Sequence, residues 1–135
     1  MPKRLLVVDD DTLFRHMLIE ILESEGYEIT PARDGKEGLE NFKKGTFDLV
    51  ITDIRMPRMN GFQLAQEIKS LTHNIPIIFV SGWYDPNRDT MEKGMHLSLL
   101  RNQSSHLYFL RKPFRISQLF SLIEKATGKT RLNVA

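Results

Sequence analysis

The sequence predicts a doubly wound α/β domain built on a five-stranded parallel sheet flanked by helices, and three observations predict it. Five short apolar runs recur along the chain, at Leu5 to Val8, Tyr27 to Thr30, Leu49 to Thr52, Ile75 to Val80 and Leu107 to Leu110. Several are nearly continuous rather than alternating, as strands buried on both faces of a parallel sheet are. The stretches between the runs are long enough for helices, and the resulting β/α alternation places ligands outside the carboxyl ends of the strands.

Taken in order, the first run ends at Asp9, Asp10 and Asp11, and Asp11 can cap a helix. Leu13, Phe14, Met17, Leu18, Ile21 and Leu22 fall at helical spacing there, with Gly26 just past the end. After the second run Asp34 caps a short helix that turns Leu39 and Phe42 inward and ends near Gly45. The third run is followed by a helix from Gly61 through Leu64, Ile68 and Leu71. Between the fourth and fifth runs, Met91, Met95, Leu97, Leu99 and Leu100 precede a polar stretch from Arg101 to Ser105. That apolar set either packs as a longer or displaced helix or forms a contact surface for a partner or a second copy. Ile116, Leu119, Phe120 and Ile123 repeat the helical pattern at the end, and Gly128 stops it.

With 135 residues, 41% hydrophobic and 27% charged, the chain fits one domain with its own core, expected over residues 1–128 and followed at 129–135 by a short polar tail or the start of a linker. The absence of cysteine excludes disulfides and thiolate metal sites. The apolar run after Lys3 and Arg4 is too short for a signal peptide and no run reaches membrane-spanning length, so cytoplasmic residence is the default expectation. The net charge is +2, but the basic residues are scattered among 17 acidic ones, which argues against direct nucleic-acid binding.

The chemistry-bearing residues gather at the strand ends: Asp9 and Asp10 after the first run, Asp53 after the third, Ser81 after the fourth, Lys112 and Pro113 after the fifth. Carboxylates from Asp9, Asp10 and Asp53 held a few ångströms apart repel one another, and a divalent cation removes the conflict. An all-oxygen site suits Mg²⁺, or Mn²⁺, alongside phosphate oxygens. Asp53 can attack phosphorus as a carboxylate nucleophile, with Lys112 and the Ser81 hydroxyl meeting the phosphoryl oxygens. His16, His73, His96 and His106 have no paired spacing suited to a metal and read as solvated or structural.

Four segments, LLVVDDD, DLVITDIRMPRMNGFQL, PIIFVSG and LRKPF in this order, resemble the signature segments of response-regulator receiver domains, the family of the chemotaxis and sporulation regulators. The resemblance implies a flavodoxin-like sheet in strand order 2-1-3-4-5, Asp53 as phosphoacceptor, and Mg²⁺ held by Asp10, Asp53 and the backbone carbonyl of Arg55 with help from Asp9. It implies a cis bond from Lys112 to Pro113, a Ser81 that moves to the phosphate and, at Phe109, an aromatic residue that swings inward on phosphorylation. It also implies a phosphohistidine donor on a sensor histidine kinase or phosphotransfer protein, a downstream protein effector, a homodimer as one mode of assembly, and no enzymatic activity beyond self-catalysed phosphotransfer and autodephosphorylation.

The chain departs from that family between Ser81 and Lys112, where it spends more positions than compact members do, and at Arg111, where an apolar residue is common. Two rival readings follow from the residues. One is a receiver-like protein-binding module not regulated by phosphorylation. The other is a magnesium-dependent phosphohydrolase with an aspartate nucleophile, against which Arg55 stands where such enzymes carry a second acid.

Overall fold

The computed structural model describes residues 2–72, 74–82, 91–101 and 106–128. Five strands, β1 (Arg4–Val8), β2 (Glu28–Ala32), β3 (Leu49–Asp53), β4 (Ile77–Ser81) and β5 (Leu107–Arg111), alternate with five helices, α1 (Thr12–Ser24), α2 (Gly35–Lys44), α3 (Gly61–Leu71), α4 (Met91–Arg101) and α5 (Ile116–Thr127). The strands form one sheet in the order β2-β1-β3-β4-β5, with every neighbouring pair parallel. This is the expected flavodoxin-like order.

The apolar runs are continuous because alternate residues serve two cores. Leu5 and Val7 of β1, Leu49 and Ile51 of β3, and Ile78 and Val80 of β4 pack with Leu18 and Leu22 of α1 and Leu119, Phe120 and Ile123 of α5. Leu6, Val8, Val50, Ile77 and Phe79 point the other way, against Phe62, Leu64 and Ile68 of α3 and Leu99 of α4. Leu39 and Phe42 of α2 pack on that second core, as their spacing predicts.

The helix boundaries follow local chemistry. Asp11 accepts from the Phe14 N–H at 3.1 Å and Asp34 from the Glu37 N–H at 2.8 Å, and Asn60 with Gln63 closes a capping box on α3. Gly26 and Gly128 take positive φ angles of 91° and 75° just past α1 and at the end of α5.

Several boundaries and faces differ from the sequence reading. Tyr27 precedes β2, which instead runs through Pro31 to Ala32. Proline is admitted because β2 is an edge strand: the Glu28 N–H donates to the Lys3 carbonyl and the Ala32 carbonyl accepts from the Asp9 N–H, at the two ends of β1, while Pro31 faces outward, its carbonyl accepting from the Asn41 amide at 3.1 Å. Ile75 and Pro76 lie before β4, although Ile75 is buried. Leu13, Met17, Leu71 and Ile116 are exposed; Leu13, on the outer side of the first turn of α1, is 83% so. In the long fourth connection, Leu99 is buried and Leu97 exposed, while residues 83–90 and 102–105, the side chains of Met91 and Leu100, and the tail at 129–135 lie outside the described residues.

Candidate functional site

Asp53 is the last residue of β3 and Ser81 the last of β4, Asp9 follows β1 directly, and Lys112 follows β5. With β1, β3, β4 and β5 adjacent in the sheet, all four open onto one end of it. Asp9, Asp10 and Asp53 each offer a carboxylate oxygen within 4.8 Å of the others. Residues 44 positions apart thus meet because parallel strands in register end at the same level, Val8 opposite Thr52.

The cation of the site is Lys112, whose Nζ lies 3.3 Å from Asp9 Oδ2 and 3.9 Å from Asp53 Oδ2. Its ammonium also stands 3.9 Å from the centre of the Phe14 ring, which meets Phe114 edge-on at 6.1 Å. The bond from Lys112 to Pro113 is cis, as the family resemblance implies. Asp9 Oδ1 accepts from the Asp11 N–H at 2.9 Å, and Asp53 Oδ1 from the Ile54 N–H at 2.8 Å.

Burial dominates the electrostatics. The Asp53 side chain is 12% exposed, and its carboxyl is pushed up to about 6, first by desolvation and next by the Asp9 charge, with Lys112 opposing. Asp9, 3% exposed, is raised by its own desolvation, against which the Asp11 N–H and Lys112 work. Asp10 is exposed. Lys112 pairs with Asp9 and Asp53, and with Asp10 beside them the described residues form an acidic, oxygen-lined pocket whose donor set fits a hard divalent cation better than a soft one.

The turn after Asp53 is tightly built. Arg58 takes a φ of 69°, positive and rare for a residue with a side chain, at the centre of a three-residue turn closed by the Met59 N–H on the Pro57 carbonyl at 2.8 Å. The chain then returns under β3, where the Gly61 N–H donates to the Ile54 carbonyl at 2.8 Å. A β-carbon on Gly61 would stand 2.2 Å from the Asp53 carbonyl oxygen, so only glycine fits.

Ser81 is buried beside this pocket, its carbonyl accepting from the Lys112 N–H at 3.2 Å. Arg55 sits in the loop after β3 with its side chain exposed. Behind Ser81 lies a cavity of roughly 280 Å³ lined by Ile54, Phe79, Ser81, His96, Phe109, Leu110 and Arg111. Phe109 is 40% exposed, with its ring centre 5.1 Å from Phe79 and 4.6 Å from His96.

Two contributors escape a sequence reading. Phe14 and Arg15 look like ordinary helix residues, yet Phe14 takes the Lys112 ammonium on its ring, and Arg15 Nη1 donates to the Asp9 carbonyl at 2.6 Å. His96 stacks on Phe62 at 5.6 Å and 4°, a partly buried structural role of the kind expected of it, and burial lowers its pKa. A helical position four residues after the Asp11 cap was the only available signal for Arg15.

Residues 5–124 match the family model described as Response regulator receiver domain. The chain is 37% identical over 131 residues to the transcriptional regulatory protein PdtaR of Mycobacterium tuberculosis, covering 96% of this chain but 59% of that protein, so it spans about three fifths of that relative's length. It is 31% identical over 127 residues to the response regulator receiver protein CpdR of Brucella abortus, covering 91% of this chain and 95% of the relative. Among solved structures, a CheY-like receiver domain protein of Methanospirillum hungatei aligns with a TM-score of 0.80 at 30% identity over 95% of each chain. The chemotaxis protein CheY4 of Vibrio cholerae aligns with a TM-score of 0.77 at 28% identity, over 93% of this chain and 99% of its own.

Proposed function

This chain belongs to the response regulator receiver family, and from that premise we propose that it is a phosphoacceptor switch of a two-component system, phosphorylated on Asp53. The observation that carries the reading is the meeting of Asp9, Asp10, Asp53 and Lys112 at one end of the sheet.

The donor is a phosphohistidine of a sensor kinase or phosphotransfer protein. An Asp53 carboxylate oxygen forms the new bond to phosphorus as the bond from phosphorus to the donor imidazole nitrogen breaks, and that nitrogen keeps the electron pair. Asp53 Oδ1 is held by the Ile54 N–H and Oδ2 faces Lys112, so the carboxylate is oriented before the donor arrives. Lys112 neutralises charge on the transferred group, and Ser81 donates its hydroxyl to it. Asp9, Asp10, Asp53 and the Arg55 carbonyl would hold Mg²⁺, which when bound offsets the crowding of the acids and the charge of the phosphoryl oxygens.

Leu13 and Met17, exposed one turn apart on α1, the helix that follows the acidic turn, suit the apolar stripe of a helical donor. Phosphorylation adds roughly 1.5 to 2 negative charges. Drawing Ser81 toward them makes room for the Phe109 ring, which lines the cavity behind Ser81, to move inward, and this alters the face formed by α4, β5 and α5 that a protein effector reads.

Intact mass after incubation with acetyl phosphate tests this reading on the wild type and Asp53→Ala, with and without Mg²⁺. One added phosphoryl group is expected only in the wild type with Mg²⁺. No gain with acetyl phosphate or with a competent kinase would favour a protein-binding module that works without phosphorylation.

A further inference from the structure

We propose that Arg15 is a positioning residue that sets the orientation of the acidic loop, and through it the affinity of the pocket for its divalent cation. The inference rests on the reading that Asp9, Asp10 and Asp53 hold Mg²⁺.

Arg15 is tied to both ends of the Asp9 to Asp11 turn. Its backbone N–H donates to the Asp11 carbonyl at 2.9 Å, as the helix requires, while its side chain doubles back so that Nη1 donates to the Asp9 carbonyl at 2.6 Å. That carbonyl belongs to the peptide joining Asp9 to Asp10. Holding it stops the peptide from rotating, and its rotation governs the direction in which the Asp10 side chain leaves the chain.

The neighbouring carboxylates have other anchors. Asp9 is buried, its N–H donates to the Ala32 carbonyl at 3.1 Å, and its Oδ1 takes the Asp11 N–H. Asp53 ends a central strand and takes the Ile54 N–H. Asp10 is exposed, so packing does little to hold it, and the peptide before it is the means of directing its carboxylate toward the other two. A short charge-assisted hydrogen bond from a planar guanidinium is suited to that task.

Arg15 acts here by geometry. Its guanidinium meets a main-chain carbonyl, whereas Lys112 meets the carboxylates of Asp9 and Asp53 themselves. Arg15 lines an open polar cleft of about 780 Å³ with Asp10, Arg33 and Arg58, so Arg33, which pairs with Glu37 at 3.6 Å, serves as a cation of the same cleft outside the pocket.

The two roles predict opposite signs. Removing a nearby positive charge would by Coulomb's law tighten binding of a cation, whereas loosening the loop weakens it. Mg²⁺ titration calorimetry on the wild type, Arg15→Gln, Arg15→Lys and Arg33→Gln, with a thermal melt of each, separates them. Arg15→Gln is expected to weaken Mg²⁺ about tenfold, the lower end of the effect seen when a group orienting a metal ligand is lost. Arg15→Lys should recover part of that loss, and Arg33→Gln, which removes a charge without loosening the loop, should bind Mg²⁺ at least as tightly as the wild type. If Arg15→Gln fails to fold, Arg15→Lys carries the test, with affinity between those of wild type and a tenfold loss. Unchanged or tighter binding in a folded Arg15 variant overturns the proposal while leaving the phosphoacceptor reading intact. A wild type that binds no Mg²⁺ removes the metal reading and this inference together.

Discussion

At the amino end of the sheet the basic side chains meet uncrowded partners, whereas at the carboxyl end three acids crowd together and Lys112 pairs with two of them. The Arg4 N–H donates to Asp48 Oδ2 at 2.8 Å, its guanidinium reaches Thr46 at 3.2 Å and Glu28 at 3.7 Å, and the buried Lys69 ammonium donates to the Ile75 carbonyl at 2.5 Å. At the other end Asp9, Asp10 and Asp53 crowd within 4.8 Å, two of them withdrawn from water. Strain is added there by the positive φ of Arg58. The difference teaches that one end of the same strands is built to hold the fold while the other stores unfavourable electrostatics, which a cation or a phosphoryl group can later exploit.

Mutations at each end can break that contrast. The largest effect is expected at Gly61→Ala, where the added methyl meets the Asp53 carbonyl; a loss of roughly 3 kcal/mol in urea unfolding is expected. A near-neutral result would show that the turn after β3 yields easily.

Asp53→Asn should act in the opposite direction. The folded protein binds the Asp53 proton more tightly than the unfolded chain does, with a pKa of about 6 against 3.8. Ionising this group therefore opposes folding: the penalty is absent below about pH 4, grows as pH rises toward 6 and is complete above it. Its ceiling is roughly 3 kcal/mol, so without a divalent cation Asp53→Asn should stabilise the protein by about 2 kcal/mol at pH 8. The gain should vanish by pH 4. Urea titrations at both pH values check this, and an equal gain at the two would refute the electrostatic account.

At the amino end, Lys69→Met should cost about 1 to 2 kcal/mol, because it keeps the apolar stem but deprives the Ile75 carbonyl of this donor. A gain from that substitution would mean that the lysine, too, is a stored penalty. Smallest of all, Glu28→Gln should change stability by no more than about 0.5 kcal/mol, since its pair with Arg4 is exposed. A larger loss would show that the amino end relies on surface pairing.

Much of this arrangement was legible in the residues. The five strands, the Asp11 and Asp34 caps, the end of α5 at Gly128 and the clustering of Asp9, Asp53, Ser81 and Lys112 at the strand ends all follow from local patterns. What escaped depends on which surface an element meets. Leu13, Met17, Leu71 and Ile116 satisfy helical periodicity, but each sits at the margin of a helix face that the sheet does not reach. Pro31 reads as a strand breaker until β2 is known to be the edge. The Lys112 and Phe14 contact joins residues from elements at opposite ends of the chain, and the Arg15 clamp depends on a side-chain conformation; neither leaves a periodic trace.

Pro31 has a consequence for how copies of this protein meet one another. The outward-facing residues of β2 are Ile29 and Pro31, and of these Pro31 has no N–H while its carbonyl is covered by Asn41. An approaching strand would find one main-chain donor along that margin instead of a ladder, so the edge is a poor template for sheet extension. Association is thereby left to side-chain surfaces, whose shape and charge a signal can change, and away from backbone pairing, which no phosphorylation event could readily undo.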